Sequence, residues 1–327
     1  MKHFKIIFAL MAVLLFATNI FASQVVIKFS HVVAPDTPKG LAANFFKDYV
    51  EKTSKGQIKV EVFPNSTLYG DREEVEALKM NAVQIIAPSF SKFTGFVPQF
   101  QLFDLPFLFD DEKQLHKFLD GPMGQKMMQL VEPKGMVGLA YWDNGFKDIS
   151  NNKREIKKPE DAAGLKFRIM SSKVLEAQFK ALGANPQVLP FSEVYSALQQ
   201  GVVDGAENPV SNFYTQKMHE VQKYYTVSGH GYLGYLVVTN KIFWNSLSPE
   251  HKKIVSDGIK LATQKEREWA AKLDDNYFAK VKAYGKVKIY TLTPEEKKIW
   301  KNKLMTIYPQ FYDVIGKEYI DAALNTK

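Results

Sequence analysis

Apolar and polar positions follow two alternating rhythms along the chain. Val25 to His31 reads as a strand. Asp36-Thr37-Pro38 announces a helix, with Thr37 as N-cap and Pro38 at the first helical position. Leu41, Phe45 and Tyr49 recur every fourth residue as its apolar face, and Gly56 ends it. Ile58, Val60 and Val62 alternate with Lys59 and Glu61, the period of a half-buried strand. A second unit repeats the theme. Asp71 and Glu74 have the spacing of a capping box, with Val75, Leu78 and Ala82 facing inward. Val83 to Ala87 is a continuous apolar strand, as a covered sheet requires.

Met136 to Tyr141 reads as a further strand, and the chain turns polar around Ser150-Asn151-Asn152-Lys153, where a domain crossing is expected. Leu165, Phe167 and Ile169 then alternate with Lys166, Arg168 and Met170 along a strand. Lys173 to Leu182 is a helix ended by Gly183. Val188 to Pro190 is a short strand, Ser192 caps a helix over 193–200, and Val202-Val203 opens another strand. Gly231 to Thr239 is the next. Ser248-Pro249 opens a helix that keeps one face apolar to about Tyr284, roughly 50 Å at the helical rise. No single domain of this size needs such a helix, so it is expected to run across two. Thr293 to Glu296 caps a final helical segment. The pattern predicts an α/β, two-domain clamp with a long helix spanning both domains. Domain I is expected over 23–146 plus 234–273, and domain II over 147–233 plus 274–327.

The first 22 residues change this picture. A basic start through Lys5, an uncharged apolar run from Ile6 to Phe16 and a polar exit ending at Ala22 have the layout of a secretory signal peptide. The apolar run is short for a bilayer span, so export to the periplasm is expected. The chain has no cysteine, which excludes disulfides and thiol chemistry. Its formal charge of +8 favours anionic partners. The basic residues are dispersed among acids without an Arg-rich block, which argues against nucleic acid.

Enzyme signatures are missing: no GxSxG elbow, no Walker A loop, no GxGxxG following a strand and no HExxH. The six histidines are scattered without ligand spacing. No metal or cofactor is expected. Arg168 stands out because the apolar neighbours on its strand turn it to the other face. A buried guanidinium must find an anion, either a ligand carboxylate or a protein acid such as Glu207. Lys39 lies in the first turn of a helix, where free N–H groups favour an anion. Ser89, Ser91 and Lys92 follow the strand ending at Ala87, and Trp142 to Lys147 follow the one ending at Tyr141. Ligands of α/β sheets sit beyond such carboxyl ends.

The block Phe191-Ser-Glu-Val-Tyr-Ser-Ala-Leu-Gln-Gln-Gly-Val-Val-Asp-Gly-Ala-Glu-Asn208-Pro209 resembles a signature of the solute-binding proteins of TRAP transporters, the tripartite ATP-independent periplasmic systems. Gly164 to Arg168, Phe63 to Gly70, Leu105 to Phe109 and the long helix from Ser248 match other blocks of that family. The resemblance covers essentially the whole chain after the leader. It implies a clamp that closes on a ligand and delivers it to a membrane permease, without enzymatic activity. It makes Arg168 the carboxylate clamp, Asn208 its helper and Phe191 an aromatic wall. A second basic residue falls at Lys147, where many members have arginine. Asn144 to Phe146 and Ser89 to Lys92 look most like the C4-dicarboxylate (DctP) branch, whose ligands are succinate, fumarate and malate. Lys39, Ser91, Lys92 and Lys147 are the candidates for the second carboxylate. His31, Asn212 and Tyr235 complete the candidate site. Other organic acids (2-oxo, aromatic or sugar acids), a secreted hydrolase or lyase, and an added signalling role stand as alternatives. A monomer is expected.

Overall fold

A computed structural model describes residues 24–326, so the leader expected over 1–22 lies outside the described residues. The strands are β1 (Val25–Ser30), β2 (Ile58–Phe63), β3 (Ile85–Ile86), β4 (Met136–Asn151), β5 (Lys166–Ile169), β6 (Asn185–Val188), β7 (Gly205–Asn208), β8 (Tyr224–Asn240) and β9 (Lys288–Thr291). They form one mixed sheet in the order β2-β1-β3-β8-β4-β7-β5-β6, with β9 also on β8.

The long antiparallel pair β4–β8 organises everything else. Its register runs from Met136 opposite Asn240 to Asn151 opposite Tyr224. One end carries parallel β1, β2 and β3, through Ile85–Ile86 on Val238–Thr239. The other end carries parallel β5, β6 and β7, through Asp148–Asn151 on Gly205–Asn208. Two α/β lobes therefore hang on a shared ribbon. The register shift at Asp143/Gly145 falls between the two attachments and that at Lys147/Ile149 at the edge of the second, where bulges bend a strand.

This differs from the expected loop after Tyr141 and the polar stretch at 150–153. Trp142 to Asn151 stays in strand. Its polar side chains are buried and bonded in the sheet's interior: Asp143, Asn144, Lys147, Asp148, Ser150 and Asn151 all lie within the buried set. Polarity here marks internal pairing, which a hydropathy pattern reads as solvent exposure.

The long helix is present, from Pro249 to Tyr284, capped by the Ser248 hydroxyl accepting from His251 N and ended by left-handed Gly285. Val255, Ile259 and Ala262 pack in one core with Phe46 and Val50. Tyr277 and Val281 pack in another with Phe213 and Tyr225. The helix thus buries its apolar face against both lobes. Gly258 lets it approach the first helix, Pro38–Thr53, since a Cβ there would stand 2.9 Å from Val50 Cγ2. Among the described residues no helix is long and apolar enough to cross a membrane. Thr37, Ser172 and Thr293 cap their helices as N-caps should. Ser192 does not: a short 3-10 turn, Phe191–Glu193, leads into Val194–Gln199 without a side-chain cap.

Candidate functional site

A cavity lies between the lobes. It sits beyond the carboxyl ends of β1, β3, β5 and β7, the position that open α/β sheets reserve for ligands. Val32 and Val33 reach it after β1, Ser89 after β3, Met170 after β5, and Asn208 at the end of β7. The lobes touch over it. Ser89 Oγ donates to Met170 Sδ at 3.4 Å, and Phe191 N donates to Asp71 Oδ2 at 3.3 Å.

Arg168 lines the cavity and is 2% exposed. Phe167 and Ile169 beside it are fully buried in the opposite core, as the alternation requires. Its Nε donates to Leu189 O at 3.0 Å, while Nη2 is buried without a partner. The Phe191 ring centroid lies 5.8 Å from the guanidinium carbon, within the range of a cation–π contact. Burial lowers the Arg168 pKa, with Asp71 and Glu207 acting the other way. Glu207, the protein acid weighed as its partner, is engaged elsewhere. It takes Lys147 Nζ at 2.7 Å on one oxygen and His230 Nε2 at 2.8 Å on the other. Arg168 therefore keeps hydrogen-bonding capacity directed at the cavity, in a guanidinium that stays charged.

Asn208 and Asn212 also line the cavity. Asn212 Nδ2 donates to Asn208 Oδ1 at 3.5 Å, and Asn144 Nδ2 donates to Asn212 Oδ1 at 3.1 Å and to the Tyr235 hydroxyl. Ser211 Oγ closes the chain on Asn144 Oδ1 at 2.8 Å. This network sets the amide orientations that a ligand would meet. Lys92 joins the lining, with Nζ 2.7 Å from Asp71 Oδ2.

The remaining candidates take positions behind the lining. Lys39 is buried with its Nζ donating to Ala87 O at 2.8 Å and lying 3.5 Å above the Tyr235 ring. Burial lowers its pKa to about 7, although Glu74, Glu266 and Asp71 oppose this. Lys147 is consumed by Glu207, and Gly231 leaves it room: a Cβ there would come within 2.8 Å of Lys147 Cε. Ser91 Oγ donates to Asp104 Oδ1 at 2.8 Å. His31 is fully buried, lowered to about 3 by burial and by the nearby Lys39 charge, and therefore neutral. None of these four reaches the cavity wall, because each is turned to a protein partner or into the packed interior. The literal Gly229-x-Gly231-x-x-Gly234 run lies inside β8. Gly231 and Gly234 make room there for Lys147 and Tyr232, without the strand-to-helix turn that phosphate binding needs.

Sequence reasoning missed the two acids of the lining, Asp71 and Glu74, and its apolar members Val32, Val33, Met170 and Leu233. The spacing of the two acids is that of a capping box, which is what the sequence pattern predicts for them. The Glu74–Lys79 helix has no side-chain cap. Asp71 instead bonds Lys92 and the Phe191 amide, and both Glu74 oxygens are buried without partners. Only the presence of two acids among basic candidates hinted at this.

Known proteins with this architecture match the chain closely. The profile of bacterial extracellular solute-binding protein family 7 covers residues 29–314. The C4-dicarboxylate-binding periplasmic protein DctP of Rhodobacter capsulatus is 49% identical over 302 residues, 92% of this chain and 90% of that protein. A TRAP periplasmic solute-binding protein of Sulfurospirillum deleyianum, solved with bound succinate, is 56% identical with a TM-score of 0.91, covering 93% of this chain and 99% of that one. One from Shewanella oneidensis, also with succinate, is 43% identical with a TM-score of 0.91 over the same shares. With a cavity at the junction of two lobes, an unpaired arginine in its wall and a family profile spanning nearly all described residues, the chain belongs to bacterial extracellular solute-binding protein family 7, the solute-binding proteins of TRAP transporters.

Proposed function

We propose that the protein captures a C4-dicarboxylate such as succinate, fumarate or malate in the interlobe cavity and delivers it to the membrane permease of a TRAP transporter. The observation that carries this reading is Arg168: a buried, charged guanidinium with an unpartnered Nη2 in a small cavity. A planar carboxylate matches that fork. Asn208 assists it and Phe191 covers the ligand. Lys92, Asn212 and Tyr235 serve the rest of the molecule. Lys39, Lys147, Ser91 and His31 act from behind, by setting the field and the packing. The likeness to two relatives solved with succinate supports a four-carbon diacid.

The moving bodies in this reading are residues 23–146 plus 234–273 and residues 147–233 plus 274–327, hinged on the β4–β8 ribbon. The leader directs the chain to the periplasm, where it acts as a monomer and as a carrier without catalysis. A thermal-shift panel tests the ligand class. Succinate, fumarate and malate should raise the melting temperature at millimolar concentration, by several degrees at 100-fold excess over Kd. Galactonate, a 2-oxo monocarboxylate and benzoate should not. A shift with one of these three and none with the diacids overturns the assignment.

A further inference from the structure

Glu74 has no part in the reading above, yet it lines the same cavity. Its side chain is 1% exposed and neither carboxyl oxygen has a hydrogen-bond partner. An anion left like this would forgo both water and protein bonds. The charged groups around it are already committed. Lys39, from the first helix, is bonded to the Ala87 carbonyl and the Tyr235 ring. Lys92, from the turn after β3, is paired with Asp71. Arg168 faces the cavity from the other lobe, Glu266 of the long helix acts on Lys39, and His31 is neutral. Burial raises the Glu74 pKa to about 8; Asp71 and Glu73 push the same way, and Lys39 and Lys92 oppose.

Charge balance points the same way. Arg168 and Lys92 against Asp71 leave the wall one positive charge in excess. An ionised Glu74 would cancel it and confront a dianion with a second carboxylate.

We propose that Glu74 is a specificity-determining donor, carrying a proton in the occupied cavity and giving its O–H hydrogen bond to a ligand carboxylate oxygen. The inference rests on the dicarboxylate reading and adds a direction of selectivity. The site prefers ligands that offer an acceptor oxygen at this point over those that offer a donor. A dianion raises the proton affinity of Glu74 further, so binding takes up about half a proton at pH 8 and approaches one as the pH rises above it. Only the protonated form binds well, so affinity falls as pH rises through 8, approaching tenfold per pH unit for one proton. Lys39, with its pKa about 7, adds its own loss of charge over the same rise, so the Glu74 contribution is read as a difference between variants.

Calorimetric titration with succinate from pH 6.5 to 9.5, in two buffers of different ionisation enthalpy, tests this. Relative to Glu74→Gln, wild type should take up about half a proton more at pH 8, rising toward one by pH 9.5. The glutamine variant keeps a donor. It should bind several-fold more weakly than wild type at pH 7, but more tightly than Glu74→Ala, and with a shallower decline above pH 8. An infrared difference spectrum on binding should show a protonated-carboxyl band in wild type that Glu74→Gln lacks, a readout independent of affinity. Proton uptake and pH slope unchanged in Glu74→Gln, or no such band, overturn the proposal while leaving the dicarboxylate reading intact. Absence of succinate binding to wild type overturns that reading, and this proposal with it.

Discussion

At the scale of single residues, the site turns on which cations are spent and which are free. Arg168 was legible in the sequence, because Phe167 and Ile169 dictate the face on which it must lie. Lys39, Lys92 and Lys147 were not distinguishable there. A lysine reads the same whether its partner is solvent, a carbonyl, an aromatic ring or a buried glutamate from a strand 60 positions away. Replacing Arg168 with Ala should cost about 3–5 kcal/mol of ligand binding, since it strands a desolvated carboxylate. Arg168→Lys should recover part of that and lack the fork. Titration of intrinsic fluorescence measures both, and equal affinity in Arg168→Ala and wild type would remove the clamp. Glu207 makes a separate prediction about stability. Against the cost of burial, Lys147 and His230 hold its pKa down to about 2 from an ordinary 4.5. A depressed carboxylate contributes stability that is fully present above pH 4.5 and is lost as pH falls through 2. The shift corresponds to about 3 kcal/mol. Glu207→Gln should therefore lower the melting temperature at pH 7, and the gap from wild type should close as pH approaches 2. A gap that is constant across that window would mean that the pair contributes through packing alone.

At the scale of elements, the helices were the readable part. Ser248-Pro249 and the apolar face after it marked the start and the length of the long helix, because N-cap chemistry and the 3.6-residue period are local properties. The β4–β8 ribbon was read only in pieces. Its centre carries Asp143, Asn144 and Lys147, whose partners come from distant segments, so local pattern could not separate buried polar pairing from a loop. Gly145 shows how tightly this ribbon is constrained. It has φ 141° at a register shift, and a Cβ there would lie 2.9 Å from Asp274 Oδ2. Gly145→Ala should destabilise the protein by about 1–3 kcal/mol through strain and crowding. Urea unfolding followed by circular dichroism gives the value, and an unchanged midpoint would show that the strand relaxes freely at this point.

At the scale of the whole molecule, the alternation of strands and helices and the long helix pointed to two lobes, and the Phe191 to Pro209 block pointed to the family. The cavity itself was only partly visible. Its wall is assembled from the ends of β1, β3, β5 and β7, from Leu233 and Tyr235 of β8, and from the segments that carry Asp71, Glu74, Lys92, Phe191 and Asn212, and the acids among them were hidden in a helix-start motif. If the lobes hinge on the ribbon, succinate should reduce the radius of gyration in small-angle scattering, and Arg168→Ala should abolish the change. The same radius with and without saturating ligand would mean that the cavity fills without closure. The central claim is carboxylate capture by Arg168 between the lobes, and a crystal structure grown with succinate tests it most directly. The account predicts one carboxylate bonded to Arg168 Nη2 and Asn208 beneath Phe191, with the other within reach of Lys92 and Glu74. Succinate bound elsewhere, or a cavity in which Arg168 pairs with a protein acid while succinate is present, would contradict it.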